Sequence, residues 1–422
     1  MHAKYRGKIE TALRCPVRTN ADFSIWYSPG VAAPCLEIRD DPEKVYEYTC
    51  KWNTIAVVSD GTRVLGLGDI GPKAGLPVME GKALLFKYLG GVDCVPIMLD
   101  TKDPDEIIRT VLLLQPSFGG INLEDISQPK CFRILDTLRL QAEIPVWHDD
   151  QQGTATVILA GLLNALKVVR KRLDDVKIVF VGSGAANVAC ARLVFARGAN
   201  AGLALMVDSC GILGRHRTDV CCEETEFEEK KCLCEMTNAE GRQGGIPEAL
   251  EGADILISCA RPGPGTIRPE WIRRMGSDPV VFACANPIPE IWPWEAQEAG
   301  AAVVATGRSD FPNQVNNSMC FPAMFRGSLD VRARTITDTM CFAAADALAE
   351  KTVELTAESL LPTMSDWEVF PHVAAAVGME AQKDGVARIM RTRDELHRTA
   401  VEMISRSREM TRLMMESGLI EA

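Results

Sequence analysis

A short apolar run that leads directly into a glycine-rich turn is the feature that most restricts what this chain can fold into. Residues 176–181 read Val-Lys-Ile-Val-Phe-Val, and a helix-like stretch at residues 190–197 follows the turn. A strand, a glycine turn and a helix in this order are typical of the first unit of a dinucleotide-binding sheet. The turn itself consists of Gly182, Ser183, Gly184, Ala185, Ala186 and Asn187.

Each position of this turn has a physical task if a dinucleotide binds there. Gly182 permits the tight turn, Gly184 lets the backbone approach a pyrophosphate, and the helix N-terminus offers free N–H groups to the anion. Asn187 stands where a third glycine is usual, which predicts either a looser fit between helix and strand or a side chain that supports the turn. A glycine-rich turn without a cofactor is the alternative that these residues leave open.

The choice between NAD and NADP depends on the end of the next predicted strand. Asp208 lies about 20 residues beyond the turn, where an acidic side chain accepts hydrogen bonds from the ribose hydroxyls of NAD and repels a 2′-phosphate. Arg215 and Arg217 follow within a few residues, and they could pair with the 2′-phosphate of NADP. We expect NAD, with NADP as the alternative.

Apolar runs and amphipathic stretches alternate along the chain in two cycles. The predicted strands of the first cycle cover residues 54–58, 93–98 and 144–147, with helices at 78–89 and 104–114; those of the second cover 176–181, 203–207, 254–257, 279–283 and 302–305. This pattern predicts an α/β fold with an N-terminal α/β substrate and metal domain (residues 1–152) and a doubly wound Rossmann-type dinucleotide-binding domain (residues 153–320). A long helix at 151–172 connects them, and a helical C-terminal segment (residues 321–422) packs back on the first domain or forms a subunit interface.

Two acidic clusters stand where predicted strands end. Glu124 and Asp125 form the first cluster, and Asp149 and Asp150 form the second. Ligands bind at the carboxyl ends of strands in open α/β sheets, and neighbouring carboxylates are tolerated where a cation offsets their repulsion. Glu124, Asp125 and Asp150 therefore predict a Mg²⁺ or Mn²⁺ site. The alternative is that Asp149 or Asp150 simply caps the following helix.

A lysine and a tyrosine are further candidates. Lys82 is predicted in the first turns of a helix, where the helix dipole and a nearby metal would lower its pKa and make a neutral amine available as a base. A solvated surface lysine is the alternative. Tyr27 lies beside a Pro-Gly turn, and a buried tyrosine with a bonded hydroxyl is its simplest interpretation.

Seven blocks stand in order along the chain: Tyr27-Ser-Pro-Gly-Val-Ala, Gly66-Leu-Gly-Asp-Ile-Gly-Pro, Glu80-Gly-Lys-Ala, Leu123-Glu-Asp-Ile, Trp147-His-Asp-Asp-Gln-Gln-Gly-Thr-Ala, Ala285-Asn-Pro-Ile-Pro-Glu and Thr306-Gly-Arg-Ser-Asp-Phe-Pro-Asn-Gln-Val-Asn-Asn. Together they resemble malic enzymes of the small prokaryotic type. The resemblance implies an NAD(P)-dependent malate dehydrogenase (decarboxylating), an oxidoreductase that converts (S)-malate into pyruvate and carbon dioxide through oxaloacetate and an enolate stabilised by Mg²⁺ or Mn²⁺. It also implies at least a homodimer, in which Tyr27 or Lys82 reaches a site shared between chains.

The same resemblance implies roles for individual residues. Lys82 corresponds to the base that takes the proton of the C2 hydroxyl, Tyr27 to the acid that protonates C3, and Asp149 to the carboxylate that orients the lysine. The implied metal ligands are Glu124, Asp125 and Asp150, and the implied substrate or cofactor contacts are Arg63, Asn286 and Asn317.

The composition indicates which class of molecule the chain binds. A formal net charge of -11 over 422 residues opposes binding to nucleic acid or to an anionic membrane, so we expect a small-molecule substrate. The N-terminus lacks the apolar core of a signal peptide, which predicts a cytoplasmic protein whose 15 cysteines are reduced. Four cysteines flank an acidic run, and they indicate either a surface loop with free thiols or a zinc site; they are Cys221, Cys222, Cys232 and Cys234.

Two rival functions remain on the sequence alone. Another nicotinamide-dependent dehydrogenase, for a hydroxyacid or an amino acid, would share the two-domain plan but would not need the acidic trio. A catalytically silent binding protein of the same fold would not need Tyr27, Lys82 and three acidic ligands together.

Overall fold

The computed structural model describes residues 1–222 and 227–421. The first 50 residues form a mostly exposed arm with four short helices: α1 (His2–Tyr5), α2 (Asn20–Trp26), α3 (Ala32–Asp40) and α4 (Val45–Tyr48). None of the residues in these four fully described helices is buried. The arm therefore adds little to the core of its own chain.

The first sheet has four parallel strands in the order β2-β1-β3-β4. Its strands are β1 (Thr54–Ser59), β2 (Asp93–Met98), β3 (Gly120–Leu123) and β4 (Val146–His148), and its helices are α5 (Gly71–Gly90), α6 (Pro104–Leu114) and α7 (Lys130–Gln141). The predicted strand at 93–98 and helix at 104–114 have these same bounds. Helix α5 starts seven residues before the predicted position, because Pro72 is compatible with the first turn of a helix, where its missing N–H is not required.

The connection between the two sheets differs from the single α-helix predicted at 151–172. A π-helical turn (Asp149–Gly153) precedes α8 (Thr154–Val169), and α8 ends because Arg170 adopts the left-handed conformation with φ 57°. Within the described residues, Asp149–Val169 is the one helical stretch long and apolar enough to cross a membrane, and 72% of its most apolar window is buried in the protein. This stretch is a core helix of the fold.

The second sheet has six strands in the order β10-β9-β8-β5-β6-β7, and all neighbours are parallel except β6 and β7. It confirms the doubly wound fold predicted from the sequence, with a short antiparallel strand at one edge that the sequence pattern did not predict. The strands are β5 (Ile178–Val181), β6 (Leu205–Asp208), β7 (Gly211–Ile212), β8 (Ile255–Ser258), β9 (Val280–Ala283) and β10 (Val303–Thr306), and the helices are α9 (Ala185–Ala196), α10 (Glu228–Met236), α11 (Ile246–Leu250), α12 (Pro269–Ile272) and α13 (Pro293–Glu298).

The remaining helices are α14 (Phe321–Asp330), α15 (Asp338–Glu350), α16 (Val369–Lys383) and α17 (Arg393–Glu416). Helices α14 and α17 pack against α5, and α15 packs against α8. The ring of Phe86 lies 4.5 Å from that of Phe321 and 5.3 Å from that of Phe325. One apolar core therefore includes the first sheet, α8, one face of the second sheet and the C-terminal helices, and it fixes the two sheets relative to each other.

Candidate active site

Residues that follow strands of both sheets line a single cavity of about 640 Å³. In the first sheet these residues follow β1, β3 and β4, and in the second they follow β5, β8, β9 and β10. The structure thereby brings together side chains that are up to 254 positions apart. Those predicted from the sequence that line the cavity are Arg63, Lys82, Glu124, Asp125, Asp150, Gly184, Ala185, Ala186, Asn286 and Asn317.

Three carboxylates form a compact trio on one wall of this cavity. Glu124, Asp125 and Asp150 each place one oxygen within 4.8 Å of the others, and no other such group of acidic, cysteine or histidine side chains occurs in the described part of the chain. The backbone N–H of Asp125 donates to Asp150 Oδ2 at 2.8 Å, and Asn122 Nδ2 donates to Glu124 Oε2 at 2.9 Å. These two hydrogen bonds restrain the carboxylates of Asp150 and Glu124 in the trio.

The trio has the chemical properties of a divalent-cation site. Burial raises the pKa of Glu124 and of Asp150, and burial together with the charge of Asp150 raises the pKa of Asp125 to about 8. Asp125 Oδ2 is buried and has no hydrogen-bond donor among the described residues. An unpartnered buried oxygen beside two further carboxylates fits Mg²⁺ or Mn²⁺, which prefer oxygen ligands.

The ammonium of Lys82 lies directly beside this trio. It donates a hydrogen bond to Asp149 Oδ2 and is 3.1 Å from Glu124 Oε1. It also lies 4.5 Å from the centre of the Phe321 ring. The alternative of a solvated surface lysine is therefore wrong.

One part of the predicted reason for a reactive Lys82, the helix dipole, needs correction. Lys82 lies in the middle of α5 rather than in its first turns, and the helix dipole acts only within the terminal turns. Burial lowers the pKa of Lys82, but the negative charges of Asp149 and Glu124 outweigh burial and raise it above its ordinary value. These surroundings favour the ammonium form of Lys82.

Asp149 is the most constrained carboxylate of the site. Its Oδ2 accepts from Lys82, and its Oδ1 accepts from Trp147 Nε1 at 3.1 Å. Trp147 is fully buried, so this donor cannot move far. Asp149 points at Lys82, whereas its neighbour Asp150 points at the trio, because the π-helical turn separates two consecutive side chains.

The glycine turn after β5 forms the opposite wall. Gly182 has φ +94°, a conformation that favours glycine, and an added β-carbon would lie 2.9 Å from the carbonyl oxygen of Cys259. Asn187 Nδ2 donates to the carbonyl oxygens of Val181 (2.7 Å) and Gly182 (2.9 Å). Of the two predictions for Asn187, the structure shows the side chain that supports the turn.

Glu290 supports the same wall, and the sequence analysis did not single it out. It is fully buried, accepts from Ser258 Oγ (2.7 Å) and from the backbone N–H groups of Ala260 (2.8 Å) and Ala285 (3.1 Å). It thus fixes the loops that follow β8 and β9. The signal in the sequence is its place at the end of the block that starts at Ala285.

Six predicted residues do not line the cavity: Asp149, Gly182, Ser183 and Asn187, which are close in sequence to residues that do, and Tyr27 and Asp208. Tyr27 is 73% exposed on the N-terminal arm, so its interpretation as a buried tyrosine is wrong. Asp208 is not free at the end of β6, because Arg217 forms a two-point ion pair with it at 2.9 and 3.2 Å. A single chain therefore does not deliver Tyr27 to its own site.

The four cysteines near α10 do not form a group with metal-site geometry within the described residues. Cys221 and Cys234 are close enough for their thiols to interact, whereas Cys222 and Cys232 are exposed. Residues 223–226 of the predicted acidic run lie outside the described residues. The arrangement favours a surface segment with free thiols.

Both halves of the chain match models of one protein family. Residues 6–139 match the malic enzyme N-terminal domain, and residues 151–382 match the malic enzyme NAD binding domain. The chain belongs to the malic enzyme family. The family resemblance inferred from the seven sequence blocks is thereby confirmed.

Full-length relatives and solved structures of malic enzymes agree with this assignment. The chain is 50% identical to an NAD-dependent malic enzyme of Geobacillus stearothermophilus over 90% of this chain and 78% of the relative, and 47% identical to a bifunctional malic/malolactic enzyme of Bacillus subtilis over 92% and 93%. The crystal structure of Entamoeba histolytica malic enzyme superimposes with a TM-score of 0.96 and 49% identity, covering 99% of this chain and 88% of that one. NADP-dependent malic enzymes also occur among the relatives.

Proposed function

We propose that this chain catalyses the oxidative decarboxylation of (S)-malate to pyruvate and carbon dioxide, with reduction of NAD or NADP, and that it requires Mg²⁺ or Mn²⁺. The observation that carries the proposal is the position of the Lys82 ammonium between Asp149 and Glu124, in the cavity that also contains the glycine turn. A simple hydroxyacid dehydrogenase needs a base and a cofactor but no acidic trio. A base next to three cation ligands suits a reaction that must also stabilise charge after carbon dioxide leaves.

A divalent cation and a nicotinamide dinucleotide would complete the chemistry. When bound, the cation withdraws electron density from the substrate oxygens and offsets the carboxylate charge around Lys82, while the nicotinamide accepts a hydride from C2. The residues that would hold the cation are Glu124, Asp125 and Asp150. The glycine turn from Gly182 to Asn187 and the N-terminus of α9 would hold the dinucleotide phosphates.

Lys82 is the proposed base. Its ammonium must first lose a proton, and the amine then takes the proton of the C2 hydroxyl as the hydride leaves. Asp149 is the positioning residue, because its bonds to Lys82 and to Trp147 fix the amine in one direction. Arg63, Asn286 and Asn317 line the cavity and would bind and orient the carboxylates of malate.

Tyr27 is the proposed acid that protonates C3, and we propose that a second copy of the chain supplies it. The tyrosine lies on an exposed arm whose large apolar side chains, Phe23, Ile25, Trp26 and Val31, are also exposed. Exposed large apolar side chains gathered in one short segment are typical of a protein interface. A homodimer would cover this surface and bring Tyr27 of one chain to the cavity of the other.

We also propose the domain boundaries predicted from the sequence. Residues 1–152 would carry the base and the cation ligands, residues 153–320 would carry the dinucleotide, and residues 321–422 would support both. The close packing of α14 and α17 on α5 supports this division, because α5 carries Lys82.

The proposal is tested by malate oxidation assays with NAD and NADP in parallel, with Mn²⁺ or with a chelator. We expect reduced cofactor and pyruvate in equal amounts, in the presence of Mn²⁺ only. Lys82→Ala should lose nearly all turnover, whereas Lys73→Ala, which removes an exposed lysine from the same helix, should not. Full activity in chelator, or reduced cofactor without pyruvate, would favour a simple dehydrogenase instead.

A further inference from the structure

Cys259 and Cys284 follow two neighbouring strands of the second sheet and stand opposite each other. The last pair in the register of β8 and β9 is Ser258 with Ala283. The backbone N–H of Cys284 donates to the carbonyl oxygen of Ser258 at 2.9 Å, which continues the same ladder by one residue. Cys259 and Cys284 are therefore the next pair of the ladder, and their side chains leave the sheet on the same face.

The spacing of this pair is suited to a disulfide. Neighbouring strands lie about 4.8 Å apart, and the α-carbons of bonded cysteines lie about 4.4–6.8 Å apart. A bond between Cys259 and Cys284 thus requires the two side chains to rotate, while the backbone can stay in place. Glu290 holds that backbone, because it accepts from the N–H groups of Ala260 and Ala285, the residues that follow the two cysteines.

Both cysteines belong to the wall of the cavity beside the glycine turn. They are partly buried and line this cavity, which at about 640 Å³ is large enough for a small oxidant to enter. The backbone of Cys259 also abuts the turn, since its carbonyl oxygen lies 2.9 Å from a β-carbon built on Gly182. A dinucleotide bound along this turn would cover Cys259 and Cys284.

The surroundings of Cys284 favour its protonated form. The neighbouring thiol of Cys259, together with burial, raises the pKa of Cys284 well above its ordinary value. A thiol with a raised pKa reacts slowly with an oxidant, because the thiolate is the nucleophile. The first attack on an oxidant is therefore left to Cys259, and Cys284 is suited to attack second, on a sulfur that is already oxidised.

We propose that Cys259 and Cys284 form a redox site in the cofactor cavity, where a hydroperoxide converts the two thiols into a disulfide and a bound dinucleotide shields them. Cys259 attacks hydrogen peroxide, so that an S–O bond forms, the O–O bond breaks, and the leaving hydroxide takes the thiol proton as water. The sulfur of Cys284 then attacks that of the sulfenic acid, and the hydroxyl leaves with the second thiol proton as another water. The two sulfurs lose two electrons in total, which the peroxide accepts. Only the shielding rests on the proposed function.

Peptide mapping by mass spectrometry tests the disulfide on the whole reduced protein, without malate, metal or dinucleotide. After treatment with hydrogen peroxide and blocking of free thiols, we expect a crosslink between Cys259 and Cys284 that dithiothreitol removes. Cys221→Ser, which alters another pair of thiols close enough to interact, should leave this crosslink unchanged. A wild-type protein in which Cys259 forms no disulfide, or pairs with the nearby Cys190 instead, would overturn the proposal.

Two further variants test the order of attack. Cys284→Ser removes the second thiol, so Cys259 should accumulate as a sulfenic acid that dimedone labels. Cys259→Ser removes the first thiol, and Cys284 should stay unlabelled because burial keeps it protonated. Dimedone on Cys284 rather than on Cys259, or on neither residue, would contradict the proposed chemistry.

Shielding is measured with NAD or NADP, whichever binds more tightly, at about 100 times its measured Kd. About 1% of the protein is then free, so the crosslink between Cys259 and Cys284 should form on the order of a hundredfold more slowly. An unchanged rate in protein shown to bind the dinucleotide would rule out the shielding. Failure of both dinucleotides to bind would contradict the proposed function instead, while the crosslink in the unliganded protein is tested separately.

Discussion

Gly153 lies so close to Asp149 that a β-carbon built on the glycine would overlap Oδ1 of that carboxylate. The same oxygen accepts the hydrogen bond from Trp147, so Asp149 is confined between a backbone atom and a buried donor. This confinement directs the other carboxylate oxygen at Lys82.

We therefore expect Gly153→Ala to displace Asp149 and reduce kcat on the order of a hundredfold, comparable with the loss of a critically positioned group. The matched control is Gly81→Ala, which adds a methyl group beside Lys82 where no atom lies within 4 Å. It should keep its activity and gain up to about 1 kcal/mol of stability from better helix propensity. Equal kcat values for the two variants would show that the overlap is relieved without moving Asp149.

The shared site predicts complementation between two inactive proteins. Tyr27→Phe and Lys82→Ala should each be inactive alone. After unfolding and refolding as a mixture, half of the dimers would contain both chains, and each would have one intact site if Tyr27 acts across the interface. Random pairing then restores about a quarter of the wild-type activity. An inactive mixture that contains mixed dimers would place both residues in the same chain.

The acidic trio predicts that one substitution changes stability in opposite directions with and without a cation. Burial and the charge of Asp150 raise the pKa of Asp125 to about 8, so folding at neutral pH must either protonate this carboxyl or bury its charge. In chelator, Asp125→Asn removes that cost and should unfold at a higher temperature than the wild type. In Mn²⁺ at about 100 times its Kd, the wild type gains about 2.7 kcal/mol and the variant should gain much less. Asp136→Asn, an exposed carboxylate on α7, should behave like the wild type in both conditions. The same Mn²⁺ stabilisation in Asp125→Asn and wild type would remove Asp125 from the ligand set.

A buried lysine away from the site predicts a pH dependence of stability. Lys51 is buried and donates to the carbonyl oxygen of Phe118 at 2.8 Å, and burial lowers its pKa to about 8. Because its pKa in the unfolded chain is about 10.4, the unfolded state binds more protons between these values. The contribution of Lys51 to stability is therefore lost as the pH falls towards 8 and gained as it rises towards 10.

Urea unfolding of wild type and Lys51→Met would measure this contribution. From pH 8 to pH 10, the free energy of unfolding of the wild type should rise by about 2 kcal/mol relative to the variant. Taking the difference between the two proteins cancels the titration of other groups. A difference that stays constant with pH would mean that Lys51 keeps an ordinary pKa in the folded protein.

The sequence by itself determined the fold class, the family and the chemistry that lies within continuous blocks. The strand, glycine turn and helix from β5 to α9 were predictable because local periodicity and glycine placement fix them. Glu124, Asp125 and Asp150 were predictable as a group because the carboxyl ends of parallel strands meet at one edge of a sheet. These are properties of neighbouring residues or of a repeated strand direction.

The tertiary structure alone decided the charges and contacts that depend on distant segments. The ammonium form of Lys82 is favoured because the carboxylate of Asp149, 67 positions away, accepts its hydrogen bond. Asp208 forms ion pairs with Arg217 and Lys230 rather than standing free at the strand end, and the sequence did not show which of the nearby cations would bind it. The energy of an electrostatic interaction depends on the distance between the charged groups and on how deeply they are buried. Both quantities are defined only once the chain has folded.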